Sequence, residues 1–162
     1  QGYLSSEPYM IRKETSLEPQ VFLLSDYGYP GYAAVVLAAD RTIAEQPEAV
    51  QAFVDASIRG WVSYLYGDPA PANALIKRDN PEMTDDVIAN AVSMMKKYGI
   101  VESGDTATLG IGAMTDARWR EFHLTMVTAG VYSAGLDVHS AYTLEFINQG
   151  AGLDFKKQLT GE

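Results

Sequence analysis

Tyrosines and carboxylates crowd into the first 32 residues in two clusters whose side chains suit a small planar ligand. In Gly2-Tyr-Leu-Ser-Ser-Glu-Pro-Tyr9, the ring of Tyr3 and the carboxylate of Glu7 stand four residues apart. On a helical turn that spacing puts both on one side. In Ser25-Asp-Tyr-Gly-Tyr-Pro-Gly-Tyr32, Asp26 shares a turn with Tyr27, Tyr29 and Tyr32. Aromatic faces stack on a flat, nitrogen-bearing ring, and a fixed carboxylate accepts its N–H bonds. Tyr3, Glu7, Asp26, Tyr27 and Tyr29 are therefore the candidate ligand-binding residues. The plainer alternative is that these tyrosines pack a strand edge, and composition leaves both open.

Other chemistries find little support. His123 and His139 are separated by 15 residues and form no HExxH pattern, so a metal site is not expected, and His123 reads as an ordinary helix histidine. No GxSxG elbow occurs. Gly110-Ile-Gly112-Ala-Met-Thr115 lacks a third glycine and follows no clear strand, so it reads as a loop leading to a helix cap rather than a phosphate cradle. Asp85-Asp86 reads as dipole complementation, and Met94-Met95 as core. Lys96-Lys97 and Lys156-Lys157 are too sparse for a basic patch.

The elements that would position these residues follow from patterning. Val21-Phe-Leu-Leu24 and Tyr32-Ala-Ala-Val-Val-Leu-Ala-Ala39 are apolar runs flanked by Gly and Pro, and the Val35-Val36 pair favours strand. From residue 40 onward the chain reads as helices. Val50, Phe53, Val54, Ile58, Trp61 and Leu65 recur at helical spacing between Pro47, suited to a first turn, and Gly67, suited to a stop. A second helix starts at the Thr84 cap, with an apolar stripe of Val87, Ile88, Ala91, Met94, Met95 and Tyr98, and ends at Gly99. A third runs from the Thr115 cap through Trp119, Phe122, Met126 and Val127 to Gly130. Short helices are expected at Pro71–Arg78 and Thr143–Asn148, with loop between at Glu102–Met114.

The chain has 162 residues, enough for one domain, and 47% hydrophobic against 20% charged residues marks it as globular. Its net charge of −9 argues against nucleic acid or anionic lipid as a partner. The absence of cysteine removes disulfides, thiolate metal sites and a Cys nucleophile. The first residues lack the basic-then-apolar pattern of a signal peptide, and the chain opens on Gln1 rather than Met, which fits a processed product or a fragment.

Gly2–Tyr9, Val21-Phe-Leu-Leu-Ser-Asp-Tyr-Gly-Tyr-Pro30 and Pro47-Glu-Ala-Val-Gln-Ala-Phe-Val-Asp-Ala-Ser-Ile-Arg-Gly-Trp61 resemble the second half of solute-binding proteins of bacterial ABC importers. The similarity is to the branch shared by thiamine-pyrimidine-precursor, taurine or sulfonate, and nitrate receptors. Asn80-Pro-Glu-Met-Thr84, Lys97-Tyr-Gly-Ile100 and Gly112-Ala-Met-Thr-Asp-Ala-Arg-Trp119 continue it, so it covers nearly the whole chain.

The resemblance implies an α/β, helix-rich chain forming the C-terminal portion of a type II periplasmic-binding-protein fold, a two-lobed clam shell. Residues 1–30 would end the second lobe and cross the hinge; residues 31–162 would complete the first lobe, mostly as helices on strands this chain lacks. In pyrimidine-binding relatives a Tyr and a Glu at the positions of Tyr3 and Glu7 line the cleft. The implied role is non-catalytic capture of a small solute, such as a pyrimidine thiamine precursor, a sulfonate or a nitrate-like compound, with no cofactor. The implied partners are a membrane ABC permease and a missing N-terminal half or a second copy of the chain. The implied location is periplasmic or lipid-anchored outside the cytoplasm. Two alternatives stand beside it: a pyrimidine-synthesis enzyme on the same fold, whose family features include a cysteine-rich motif absent here, and a stand-alone helical interaction domain.

Overall fold

The computed structural model describes residues 2–161. Gln1 and Glu162, the outer ends of the two expected portions, lie outside them. Eight α-helices occur among the described residues: α1 (Glu7–Thr15), α2 (Asp40–Glu45), α3 (Pro47–Tyr66), α4 (Ala70–Asp79), α5 (Asp85–Lys97), α6 (Thr106–Leu109), α7 (Asp116–Thr128) and α8 (Leu153–Thr160). Helix α3 is the spine. Val50, Val54, Ile58, Val62 and Leu65 recur every three or four residues and all are buried, one continuous apolar stripe. Ile111 and Phe146 from two loops close over it, with Ile43 of α2 and Phe155 of α8 at the edge.

The two covering loops are tied to each other. Asn148 Nδ2–H donates to the Met114 carbonyl (2.8 Å), its Oδ1 accepts from the Met114 N–H (3.3 Å), and the Gly150 N–H reaches the Leu109 carbonyl (3.1 Å). A side chain on Gly110 would strike the Ala151 carbonyl at 2.8 Å, and its φ of +96° admits glycine alone. Lower down, Glu102 accepts from Tyr66 Oη–H (2.5 Å) and Lys156 Nζ (2.7 Å), joining the end of α3 to α8.

Two of the three expected helix starts show the residue chemistry expected of them, and the Thr84 cap does not form. Pro47 sits in the first turn of α3. At α7, Thr115 Oγ1 accepts from the Arg118 N–H (3.3 Å), a true side-chain cap. Thr84 precedes α5 without capping it; its hydroxyl donates to Asp86 Oδ1 (2.6 Å) instead.

Three expectations need correction. No strand occurs among the described residues, so the α/β reading holds only in its helix-rich part. Leu24–Tyr27 closes into a 3₁₀ turn. Residues 33–38 run without regular structure and make no backbone hydrogen bond among the described residues, leaving Leu37 93% exposed. A strand needs a neighbour to pair with, and none is available here. Second, Thr143–Asn148 is not helical; the helical turn lies earlier, a 3₁₀ turn at Val138–Ala141. The Phe146 carbonyl is taken by Gln51 Nε2 (3.1 Å), and Asn148 adopts φ +64°, which stops a helix. Third, helix is not confined to residues 40 onward, nor is Glu102–Met114 all loop: Glu7–Thr15 is helix, with Pro8 in its first turn, and so is Thr106–Leu109.

Candidate functional site

Helix α1 packs antiparallel on α5. Ser5, just before α1, offers its carbonyl to Asn90 Nδ2 (3.3 Å), while Tyr9 Oη (2.6 Å) and Lys13 Nζ (2.8 Å), one and two turns later, both donate to Asp86. As the number rises along α1 it falls along α5. Beside this seam lies a groove of about 420 Å³. Leu4, Pro8 and Arg12 form one wall; Met94, Lys97 and Tyr98 at the end of α5 form the other. The connecting segment, with Glu18, Val21, Leu23 and Asp26, forms the rest. The lining mixes apolar and charged side chains: Arg12 pairs with Glu18 (3.1 Å), and the Lys97 ammonium stands 5.1 Å over the Tyr98 ring. Such a groove suits an amphiphilic solute with a flat apolar body and polar edges. A second hollow, about 430 Å³ at the α2–α3 junction, is edged by Glu45–Ala49 alone and gathers no residues from distant elements.

The five candidate residues are distributed around this region unequally. Tyr3 and Glu7 come together, but the contact is with the Tyr3 backbone: its N–H donates to Glu7 Oε2 (2.7 Å), as does the Ser6 hydroxyl. These bonds, the Ser6 hydroxyl first, hold the Glu7 carboxyl below its ordinary range. Glu7 Oε1 has no donor among the described residues, and the Tyr3 ring is 70% exposed. Asp26 lines the groove. Tyr27 is 74% exposed, with its ring 6.5 Å from Phe22. Tyr29 turns elsewhere, meeting Phe122 of α7 edge-on at 5.8 Å.

That last contact belongs to an aromatic cluster that sequence reading did not assemble. Trp119 stacks on Tyr142 at 4.9 Å with planes 2° apart, Tyr32 leans on Trp119 at 5.6 Å, and Tyr132 meets Phe122 at 6.1 Å. Arg118 fastens the tyrosine-rich turn to it. Its guanidinium lies 4.3 Å over Tyr32 and donates to the carbonyls of Pro30 (2.7 Å) and Gly31 (3.2 Å). The groove residues Arg12, Glu18, Met94, Lys97 and Tyr98 were likewise missed. The spacing of Met94, Lys97 and Tyr98 was a visible signal for one helix face, but nothing in the sequence paired that face with α1.

With this geometry in place, likeness to known proteins becomes informative. Residues 1–72 match the family model described as NMT1/THI5 like. Over 151 residues, 93% of the chain, the sequence is 30% identical to the riboflavin-binding protein RibY of Chloroflexus aurantiacus. The chain as a whole fits part of a solute-binding protein of the NMT1/THI5-like family. It spans 42% of the length of the curated relative. No solved structure matches. The NMT1/THI5-like region holds α1, α2, α3 and all five candidate residues, whereas α5, the opposite wall of the groove, lies beyond it.

Proposed function

We propose that this chain is a portion of the substrate-binding component of an ABC importer, a non-catalytic receptor that captures a small solute outside the cytoplasm and passes it to a membrane permease. The observation that carries this reading is the likeness to a riboflavin-binding protein across 93% of the chain. No helix among the described residues is long and apolar enough to cross a membrane. The solute is a planar nitrogen heterocycle, of the pyrimidine or flavin kind, rather than a sulfonate or nitrate. The groove supports this choice: Tyr98 and Pro8 offer flat apolar surface, and Asp26 offers a carboxylate for ring N–H groups. Tyr3 and the carboxylate of Glu7, at the start of α1 near Leu4, would take the outer edge of the solute. The remainder of the receptor, as a missing N-terminal half or a second copy of the chain, would close over it by a hinge motion.

Calorimetric titration of the intact protein with riboflavin, an aminopyrimidine, taurine and nitrate tests this. Saturable binding of a heterocycle is expected, with stabilisation of about 2.7 kcal/mol at a hundredfold excess over Kd. Asp26→Asn and Glu7→Gln are each expected to weaken it. Silence towards all four compounds would remove the receptor reading; response to taurine or nitrate alone would remove the heterocycle.

A further inference from the structure

Helix α1, one wall of the groove, has no fully buried residue; Pro8, Tyr9, Met10 and Arg12 are half-buried. Apolar burial of α1 is only partial, so polar contacts share in fixing its place. Those contacts converge on one carboxylate. Asp86, in the first turn of α5, accepts from Tyr9 Oη (2.6 Å), Lys13 Nζ (2.8 Å) and its neighbour Thr84 Oγ1 (2.6 Å). Charge-assisted bonds of this kind are short and directional.

The sequence of α1 couples that contact to the groove. Ser5, Tyr9 and Lys13 form the stripe facing the first half of α5, while Leu4, Pro8 and Arg12 line the groove. Each groove residue directly precedes a seam residue, so the two stripes lie about 100° apart around the same short helix. A roll of α1 about the seam moves the groove wall by the same angle. Asp86 itself does not line the groove.

We infer that Asp86 is a positioning residue: it latches α1 onto α5 and thereby sets the width of the groove and its affinity for solute. The binding half of this inference rests on the proposed receptor function; the latching half does not. A wall left free to roll must be ordered when solute arrives, and that cost appears as lost affinity.

The test uses the intact protein with Asp86→Ala, Asp86→Asn and the double variant Tyr9→Phe/Lys13→Met, which leaves Asp86 in place. Amide hydrogen exchange is read along α1 and α3, and riboflavin binding by quenching of flavin fluorescence. In all three variants, exchange in α1 is expected to quicken roughly fivefold or more while α3 is unchanged. Riboflavin Kd is expected to rise by a similar factor with little change in Tm. Unchanged exchange in α1 overturns the latch. Faster exchange with unchanged riboflavin affinity overturns the positioning role. Faster exchange in a protein whose unmutated form binds no riboflavin upholds the latch and counts against the flavin reading instead.

Discussion

Gly152, in the turn before α8, lies so close to α3 that a Cβ on it would stand 2.9 Å from Ile58 Cγ2 and 3.2 Å from Val62 Cγ2. Val62 is the most deeply buried large side chain of the core. The turn and the spine thus meet at a point where only a hydrogen fits.

Gly152→Ala should therefore cost about 1–3 kcal/mol, because φ +82° and a rigid β-branched neighbour both resist it. Gly60→Ala should do the opposite. Gly60 is interior to α3 with open space around it, and alanine there is expected to add roughly 0.5–1 kcal/mol. Urea denaturation of both variants checks the opposed signs; two losses of equal size would contradict the packing described.

Tyr142 donates to Asp116 (2.5 Å), and that bond first, with partial burial second, pushes its phenol up to about 12. An unfolded tyrosine titrates near 10. Between those values the folded state keeps a proton that the unfolded state has lost, so this contribution to stability is whole below about pH 10 and falls as pH rises towards 12. Tyr9, Tyr64 and Tyr66 are also raised, so phenolate absorbance should show several late-titrating tyrosines, of which Tyr142→Phe removes one at the alkaline end. An unaltered titration curve would refute the assignment.

Glu102 and Lys156 form the most buried ion pair among those described, with Tyr66 as a third member. Replacing Glu102 by alanine strands the Lys156 ammonium and the Tyr66 hydroxyl, at a cost of about 1–3 kcal/mol. A double-mutant cycle with Lys156→Met should give a clear coupling energy, since the two side chains touch. The bond to Glu102 raises the Lys156 pKa. Its stabilisation is therefore full below the ordinary lysine value, about 10.4, and is lost as pH rises through the raised one. Additive single and double variants would show the pair to be inert.

Val35, Val36 and Leu37 stand exposed on a segment whose backbone makes no hydrogen bond among the described residues. Such a segment is a template for edge pairing. The 162-residue chain by itself should self-associate with rising concentration in sedimentation experiments, and Leu37→Lys should reduce this while leaving Tm nearly unchanged. A chain that remains monomeric at all concentrations would show the segment to be innocuous.

Local chemistry made much of the helical frame legible. Val50, Val54, Ile58 and Leu65 of the α3 stripe (though not Phe53 and Trp61, which are exposed), the stop at Gly67, the Thr115 cap and the start of α5 after Thr84 all depend on neighbours within four residues, the range over which sequence patterns act directly. The family likeness was legible too, because an ordered series of motifs survives where no single one is decisive. What lay beyond reach depended on distant partners. Val21–Leu24 and Tyr32–Ala39 carry strand-like composition, yet a strand exists only where another chain segment accepts its hydrogen bonds. The five candidate residues sit close in sequence, but tertiary packing sent Tyr29 to Phe122, curled Glu7 onto its own turn and left Asp26 in the groove. The pairing of α1 with Asp86 across more than seventy residues could not be read from either helix alone, since the polar groups that make it, Tyr9, Lys13 and Asp86, would be equally content in water.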